Sequence, residues 1–167
     1  MNETATPDML DTLAGLTADS SVAALRRQRG DVVRFTQGSD EAIFAPKDDG
    51  GLTRAERAAA ALRIAMLLHD PILQDHYQAL LEPLDEDGNL LRSADVEAQT
   101  DDARWATVIA HVDRVTADSD SATKAHIDGL LAAGLSPHAV VSLSQVIAYV
   151  NFQARVLAGL RMLRDAK

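Results

Sequence analysis

The 167-residue chain contains no cysteine. This absence excludes disulfides, thiolate-ligated zinc, iron–sulfur clusters, and catalysis by a cysteine nucleophile or a CxxC redox pair. Aromatic residues are also scarce, at 4% of the chain, with one Trp, two Tyr and three Phe. The core must therefore be built from aliphatic side chains. With only nine glycines, this composition favours packed helices over a β-sandwich.

Positive charge is in short supply as well. The 16 Lys and Arg residues are outnumbered by 25 Asp and Glu, for a net charge of −9, which argues against a nucleic-acid partner. No uninterrupted apolar run reaches the ~18 residues that span a bilayer, and the best candidate is broken by Arg63. The start, Met1–Thr4, has neither the basic nor the apolar region of a signal peptide. These observations predict a cytoplasmic protein without a membrane partner.

The hydrophobic pattern is helical along the whole chain, and no segment reads as a convincing strand. The length predicts one domain over residues 1–167. Within it we expect short helices in 1–50, a central helical hairpin in 51–82 and further helices in 101–165. An all-α fold with a long C-terminal helix is therefore the expected architecture.

Capping signals delimit the predicted hairpin. Thr53 and Glu56 form a capping box, in which each side chain bonds the backbone of the other residue. The helix that follows is apolar almost all round up to Leu68, so it should be buried on several sides. Asp70 and Pro71 then supply an N-cap and a first-turn proline for a second helix. We expect that helix to end near Leu81.

The sequence also suggests boundaries for three other helices. Asp31 can cap a helix, and the stretch 37–40, which contains a glycine, is expected to interrupt it. The stretch 118–121 offers N-caps for a helix that ends at Gly134. The last helix should run from Ser136 to about Leu163, with apolar residues on more than one face. Such a helix predicts packing against another subunit.

A pattern of residues in the last third of the chain carries a resemblance to a known family. It consists of Ile127–Leu130, Ala133–Ser136, Val141, Leu143–Gln145, Ile147–Gln153, Arg155 and Ala158–Leu160. This segment resembles the C-terminal half of the carboxymuconolactone decarboxylase-like (CMD/AhpD) superfamily, especially its peroxidase-related members. Supporting segments are Leu52–Arg57, Leu62–Leu68, Asp31–Val33 and Thr36–Ser39.

The resemblance implies an AhpD-like helical bundle built around a helical hairpin and assembled as an oligomer. It also implies positions for the family's redox residues, and this chain has other residue types at those positions. The two cysteine positions fall on Asp70 and Leu73, the histidine position on Tyr77, and the glutamate position on Ala58. The chain thus looks like a cysteine-less branch of the CMD-domain proteins. Thiol peroxidase activity is predicted to be absent, because peroxide reduction of that kind needs a thiolate.

Three residues near the family's reactive motif are candidate catalysts. Asp70 could act as a base, although an Asp before Pro is also an ordinary helix cap. His76 could be a general acid or base of near-neutral pKa, and Tyr77 could line the same pocket. Alternatively, both are packing residues of the hairpin. No histidine and carboxylate spacing predicts a metal site, and no cofactor is expected.

The last helix carries three candidate substrate-binding residues, Tyr149, Asn151 and Arg155. Asn151 and Arg155 are four apart and share a face, and an arginine can hold a carboxylate bidentately. Two functions stay open. The first is a non-peroxidase subunit with a small-ligand site, in a homo-oligomer or with a cysteine-containing paralogue. The second is a cysteine-independent decarboxylase or lactone-handling enzyme acting on a small carboxylated substrate.

Overall fold

The computed structural model describes residues 8–166, which form nine α-helices and two short 3-10 turns. The helices are α1 (Met9–Leu13), α2 (Ser21–Arg27), α3 (Gly30–Phe44), α4 (Arg54–Leu67), α5 (Pro71–Leu81), α6 (Asn89–Ala94), α7 (Ala103–Ala117), α8 (Lys124–Ala132) and α9 (Pro137–Asp165). No strand occurs within these residues, and the all-α prediction is confirmed. The start at Met1–Thr4 lies outside the described residues, so the expectation about a signal peptide stays a prediction.

Helix α4 is the centre of the molecule. Every residue from Ala58 to Ala65 is buried, and α5, α6, α7 and α9 all pack around this helix. The alanines make this possible, because a methyl side chain lets neighbouring backbones approach closely. The sequence pattern that is apolar all round is therefore explained by burial on several sides.

The predicted hairpin forms between α4 and α5. The capping box is confirmed, with the Thr53 hydroxyl 3.1 Å from the Glu56 amide and the Glu56 carboxylate 2.8 Å from the Thr53 amide. Asp70 caps α5 by accepting hydrogen bonds from the amides of Ile72 and Leu73. Both predicted boundaries of the hairpin are correct, because both depend on local hydrogen bonds that the sequence specifies.

Two predicted boundaries are wrong. Helix α3 begins at Gly30 and continues without a break through Gly38 to Phe44. One glycine costs a helix only about 1 kcal/mol, and here the Ser39 hydroxyl bonds the Phe35 carbonyl inside the helix. Helix α8 takes Thr123 as its N-cap, while the expected capping stretch 118–121 forms a 3-10 turn instead.

Two buried arginines of α4 tie the surrounding loops to the core. The Arg57 guanidinium donates to the backbone carbonyls of Leu52, Ile43 and Asp49. Arg63, at 5% exposure, forms a two-pronged ion pair with Asp113 of α7 and also donates to two carbonyl groups at the end of α6, those of Ser93 and Asp95. Arg63 therefore joins three elements, which explains a charge inside an otherwise apolar helix.

Helix α9 is 29 residues long and runs along the whole domain. It begins at the predicted Ser136 cap and contacts α1, α2, α3, α4, α7 and α8. By length and mean hydropathy alone it could span a membrane, although polar residues interrupt its apolar sequence. Half of the apolar window is buried inside the protein, however, as in the core helix of a soluble domain.

Candidate functional site

A groove opens where the α4–α5 turn meets the C-terminal half of α9. We call it the hairpin groove, and its volume is about 320 Å³. Leu68, Pro71, Ala154 and Ala158 provide its apolar walls. Its polar lining consists of His69, Asp70, Asn151, Arg155 and Arg161. The volume of the groove is at the lower end of the range for small-molecule pockets.

Asp70 has one partner in the groove besides the α5 amides that it caps. Its carboxylate forms an ion pair with Arg161 of α9, at 2.7 Å between Oδ2 and Nη1. Burial raises the pKa of Asp70, but the hydrogen bonds from Arg161 and the α5 amides outweigh it and hold the pKa below its usual value. Asp70 is therefore ionised at neutral pH, and its carboxylate oxygens already accept hydrogen bonds from Arg161 and the α5 amides. A carboxylate held in this way is a poor general base.

Arg155 also lines the groove but, unlike Arg161, has no carboxylate partner among the described residues. Its guanidinium bonds only the backbone and side-chain oxygens of Asn151, at 2.9 and 3.4 Å. No carboxylate of residues 8–166 lies within 4.0 Å of it. Apart from His69, the groove is lined by one acidic residue and two arginines, which give it one excess positive charge in a protein whose net charge is −9.

His69 forms the corner of the groove in an unusual backbone conformation. Its φ angle is 54°, and it is the one non-glycine residue with positive φ in the described part of the chain. The left-handed conformation allows the sharp turn from α4 into α5. Histidine tolerates this region better than most residues. Its exposed imidazole is thereby placed at the mouth of the groove.

A second group of polar residues is buried between α3, α5 and α9. We call it the tyrosine cluster, and it consists of Asp40, Tyr77, Tyr149 and Gln153. The Tyr77 hydroxyl donates to the Gln153 side-chain oxygen, and the Tyr149 hydroxyl donates to the Thr36 carbonyl at 3.2 Å. Tyr77 and Gln153 are fully buried. These contacts connect three helices through the interior.

The electrostatics of the tyrosine cluster favour neutral forms. Burial, together with the nearby Asp40 charge, raises the pKa of Tyr77 and of Tyr149 well above the usual value for tyrosine. Burial also raises the pKa of Asp40. The Tyr149 hydroxyl lowers it in part, and the charge of Glu41 raises it further. Oδ1 of Asp40 is buried without a hydrogen-bond partner among the described residues. The tyrosines are therefore donors at neutral pH and not bases.

The structure divides the predicted site residues between two places. Asp70, Asn151 and Arg155 share the hairpin groove, whereas Tyr77 and Tyr149 belong to the tyrosine cluster. His76 lines neither. It is half-buried, and its ring packs edge-on against Tyr77 with 4.9 Å between centroids. Burial lowers the pKa of His76. Its catalytic role, like that of Tyr77, stays a prediction.

Comparison with known proteins identifies the fold. No protein-family model and no curated protein matches the chain. Among solved structures, the chain is similar to an uncharacterized peroxidase-related protein from Silicibacter sp. TM1040, with a TM-score of 0.70 and 16% sequence identity. The similarity covers 78% of this chain and 69% of that one. This similarity shows that the chain has an AhpD-like helical fold.

In this AhpD-like fold, the two positions that the resemblance assigns to cysteines have structural tasks. Asp70 caps α5 and pairs with Arg161, and Leu73 is fully buried in the core. The chain therefore has the architecture without the thiols. Within the described residues, no three His, Asp or Glu side chains come together in a way that could hold a metal ion.

Arg161 and His69 line the groove, but neither was predicted as a site residue from the sequence. A signal for Arg161 is present, because residues 151, 154, 155, 158 and 161 follow one another at helical spacing and form one stripe along α9. Two alanines in this stripe leave the space that the groove occupies. The placement of His69 depends on a positive φ angle that no sequence pattern announces.

Proposed function

We propose that this protein is a non-peroxidase member of its fold that binds the carboxylate group of a small molecule in the hairpin groove. The observation that supports the proposal is the state of Arg155, an arginine at a concave site that no carboxylate of residues 8–166 neutralises. An arginine fork matches a carboxylate in geometry and charge. The neighbouring Asp70–Arg161 pair would keep the groove rigid.

Replacement of Arg155 by Gln tests this binding role. We use succinate as the probe and measure its affinity by isothermal titration calorimetry at constant ionic strength. Loss of one charge-assisted hydrogen-bonding group should weaken succinate binding about tenfold or more. The matched control is Arg29→Gln, which removes the same charge from an exposed residue whose side chain makes no hydrogen bond among the described residues. Equal affinity of the Arg155→Gln variant and the native protein would refute the proposal.

We propose in addition that the protein acts as a subunit of a homo-oligomer that assembles through α3 and α9. Helix α3 buries only Ile43 and Phe44 among its fifteen residues. Phe35 on α3 is 64% exposed, and Val141 and Phe152 on α9 are also exposed. Apolar side chains grouped on neighbouring helices are a typical feature of a protein–protein interface. A partner with the same fold and its own cysteines is the alternative occupant of this face.

Light scattering tests this assembly. We expect the molar mass in solution to be a multiple of the chain mass of 17.9 kDa. The variant Phe35→Glu should shift the mass toward the monomer, because it places a charge in the contact. Val96→Glu, at an exposed apolar residue between α6 and α7, is the control and should not change the mass. A monomeric native protein at all concentrations would show that self-association is not its state.

A further inference from the structure

A separate cavity of about 160 Å³ lies between α7 and α8 and shares no lining residue with the hairpin groove. Its polar lining comes from Thr107, His111 and Arg114 on α7 and from His126 on α8. The rest of its wall consists of small residues, two alanines and Gly129. No acidic residue lines it. The proposed function does not use this cavity.

His111 is the buried member of the cavity and is 7% exposed. Its Nδ1 atom is completely buried and has no hydrogen-bond partner within residues 8–166. Buried polar atoms in folded proteins almost always have a partner. A ligand in the cavity cannot reach an atom that is completely buried. His111 therefore borders the cavity with its other ring nitrogen, Nε2, which is accessible and makes no hydrogen bond among the described residues.

The two neighbours of His111 present donors to the same space. The Nδ1 atom of His126 accepts a hydrogen bond from the Thr123 amide at 3.0 Å, so the proton of the neutral ring is on Nε2. The Arg114 guanidinium has no carboxylate of the described chain within 4.0 Å. Burial lowers the pKa of His111, and the proximity of His126 and Arg114 lowers it further.

We infer that this cavity is a binding site for a small oxyanion such as inorganic phosphate, held by Arg114, His111 and His126. Every ionisable group of the lining is a potential cation, so an anion is attracted and a metal ion is repelled by Arg114. The first turn of α8 contributes Ala125 and His126 to the wall, and the positive end of that helix adds to the attraction. The volume lies below the ~300 Å³ at which pockets for drug-sized ligands begin, which favours a small inorganic group.

The test measures binding of inorganic phosphate by calorimetry at constant ionic strength, with the histidine side-chain ¹⁵N resonances followed in parallel. The native protein should bind phosphate, and the His111 and His126 signals should shift on binding. The variant Arg114→Gln should bind about tenfold more weakly, since it loses a charge-assisted contact. His111→Gln should do the same, and calorimetric unfolding would show whether that variant is folded.

Two control variants locate the anion. Arg29→Gln removes an exposed positive charge elsewhere and should bind phosphate like the native protein, which excludes a general effect of net charge. Arg155→Gln alters the hairpin groove and should also bind normally. Phosphate binding that is lost in Arg155→Gln and kept in Arg114→Gln would place the anion in the groove and overturn the inference. Binding of Zn²⁺ but not of phosphate at His111 would overturn it as well.

Discussion

Replacement of Arg63 by Met is expected to lower the free energy of unfolding by about 3 kcal/mol, because it strands the Asp113 carboxylate beside buried carbonyls. Breaking a fully buried ion pair costs about 3–5 kcal/mol. We take the lower end of that range because the Asp113 side chain is 34% exposed and water can partly replace its partner. Chemical denaturation followed by circular dichroism measures the loss.

The controls for this prediction separate the ion pair from the general effect of losing an arginine. Arg29→Met changes an exposed side chain and should stay within about 0.5 kcal/mol of the native protein. Asp113→Asn keeps the shape of the partner and removes its charge, so it should also be destabilising, by less than Arg63→Met. If Arg63→Met were as stable as the native protein, the joining role of Arg63 would be disproved.

Replacement of Asp70 by Asn should cost about 2 kcal/mol at neutral pH, a value typical of hydrogen bonds to charged groups. Asn is still a good N-cap, so the change removes chiefly the ion pair with Arg161. The folded-state pKa of Asp70 lies below the model-peptide value of 3.8, so its contribution is fully present above about pH 4 and is lost as the pH falls through the folded pKa. The difference between variant and native protein should therefore shrink in acid.

The substitution Asp40→Asn should have the opposite effect and stabilise the protein at neutral pH. The pKa of Asp40 is raised in the folded protein, so the native state holds this proton more tightly than the unfolded state does. Stability is therefore lost as the pH rises from 3.8 through the folded pKa, and a neutral Asn avoids that loss. The variant should melt at a higher temperature than the native protein at pH 7 and at the same temperature at pH 3. A lower melting temperature at pH 7 would contradict a raised pKa of Asp40 in the folded protein.

These two carboxyls show why the candidate site was only partly predictable. Asp70 precedes a proline, and the sequence reveals its capping role directly. Its partner Arg161 lies 91 residues away, and only the packing of α9 onto the hairpin brings the two together. Asp40 is placed by a stretch of sequence that we expected to interrupt a helix. Its burial beside Tyr149 depends on that helix being continuous.

The tyrosine cluster likewise shows that the sequence of α9 does not predict which way its polar side chains point. Tyr149 and Asn151 are two residues apart, and on a helix such residues point in different directions. Tyr149 turns inward to α3, whereas Asn151 turns toward the hairpin groove. Because α9 is apolar on more than one face, its sequence does not reveal which polar residue meets which neighbour.

By itself, the sequence determined that the protein is helical, where the two hairpin helices and the last helix begin, and that thiol chemistry is impossible within it. These properties follow from composition and from hydrogen bonds between residues a few positions apart, which do not depend on the rest of the chain. The tertiary structure decided that Arg155 faces a groove with no carboxylate to neutralise it and that His111 borders a cavity without a partner for Nδ1. Both facts depend on contacts between distant segments. A local pattern does not contain them.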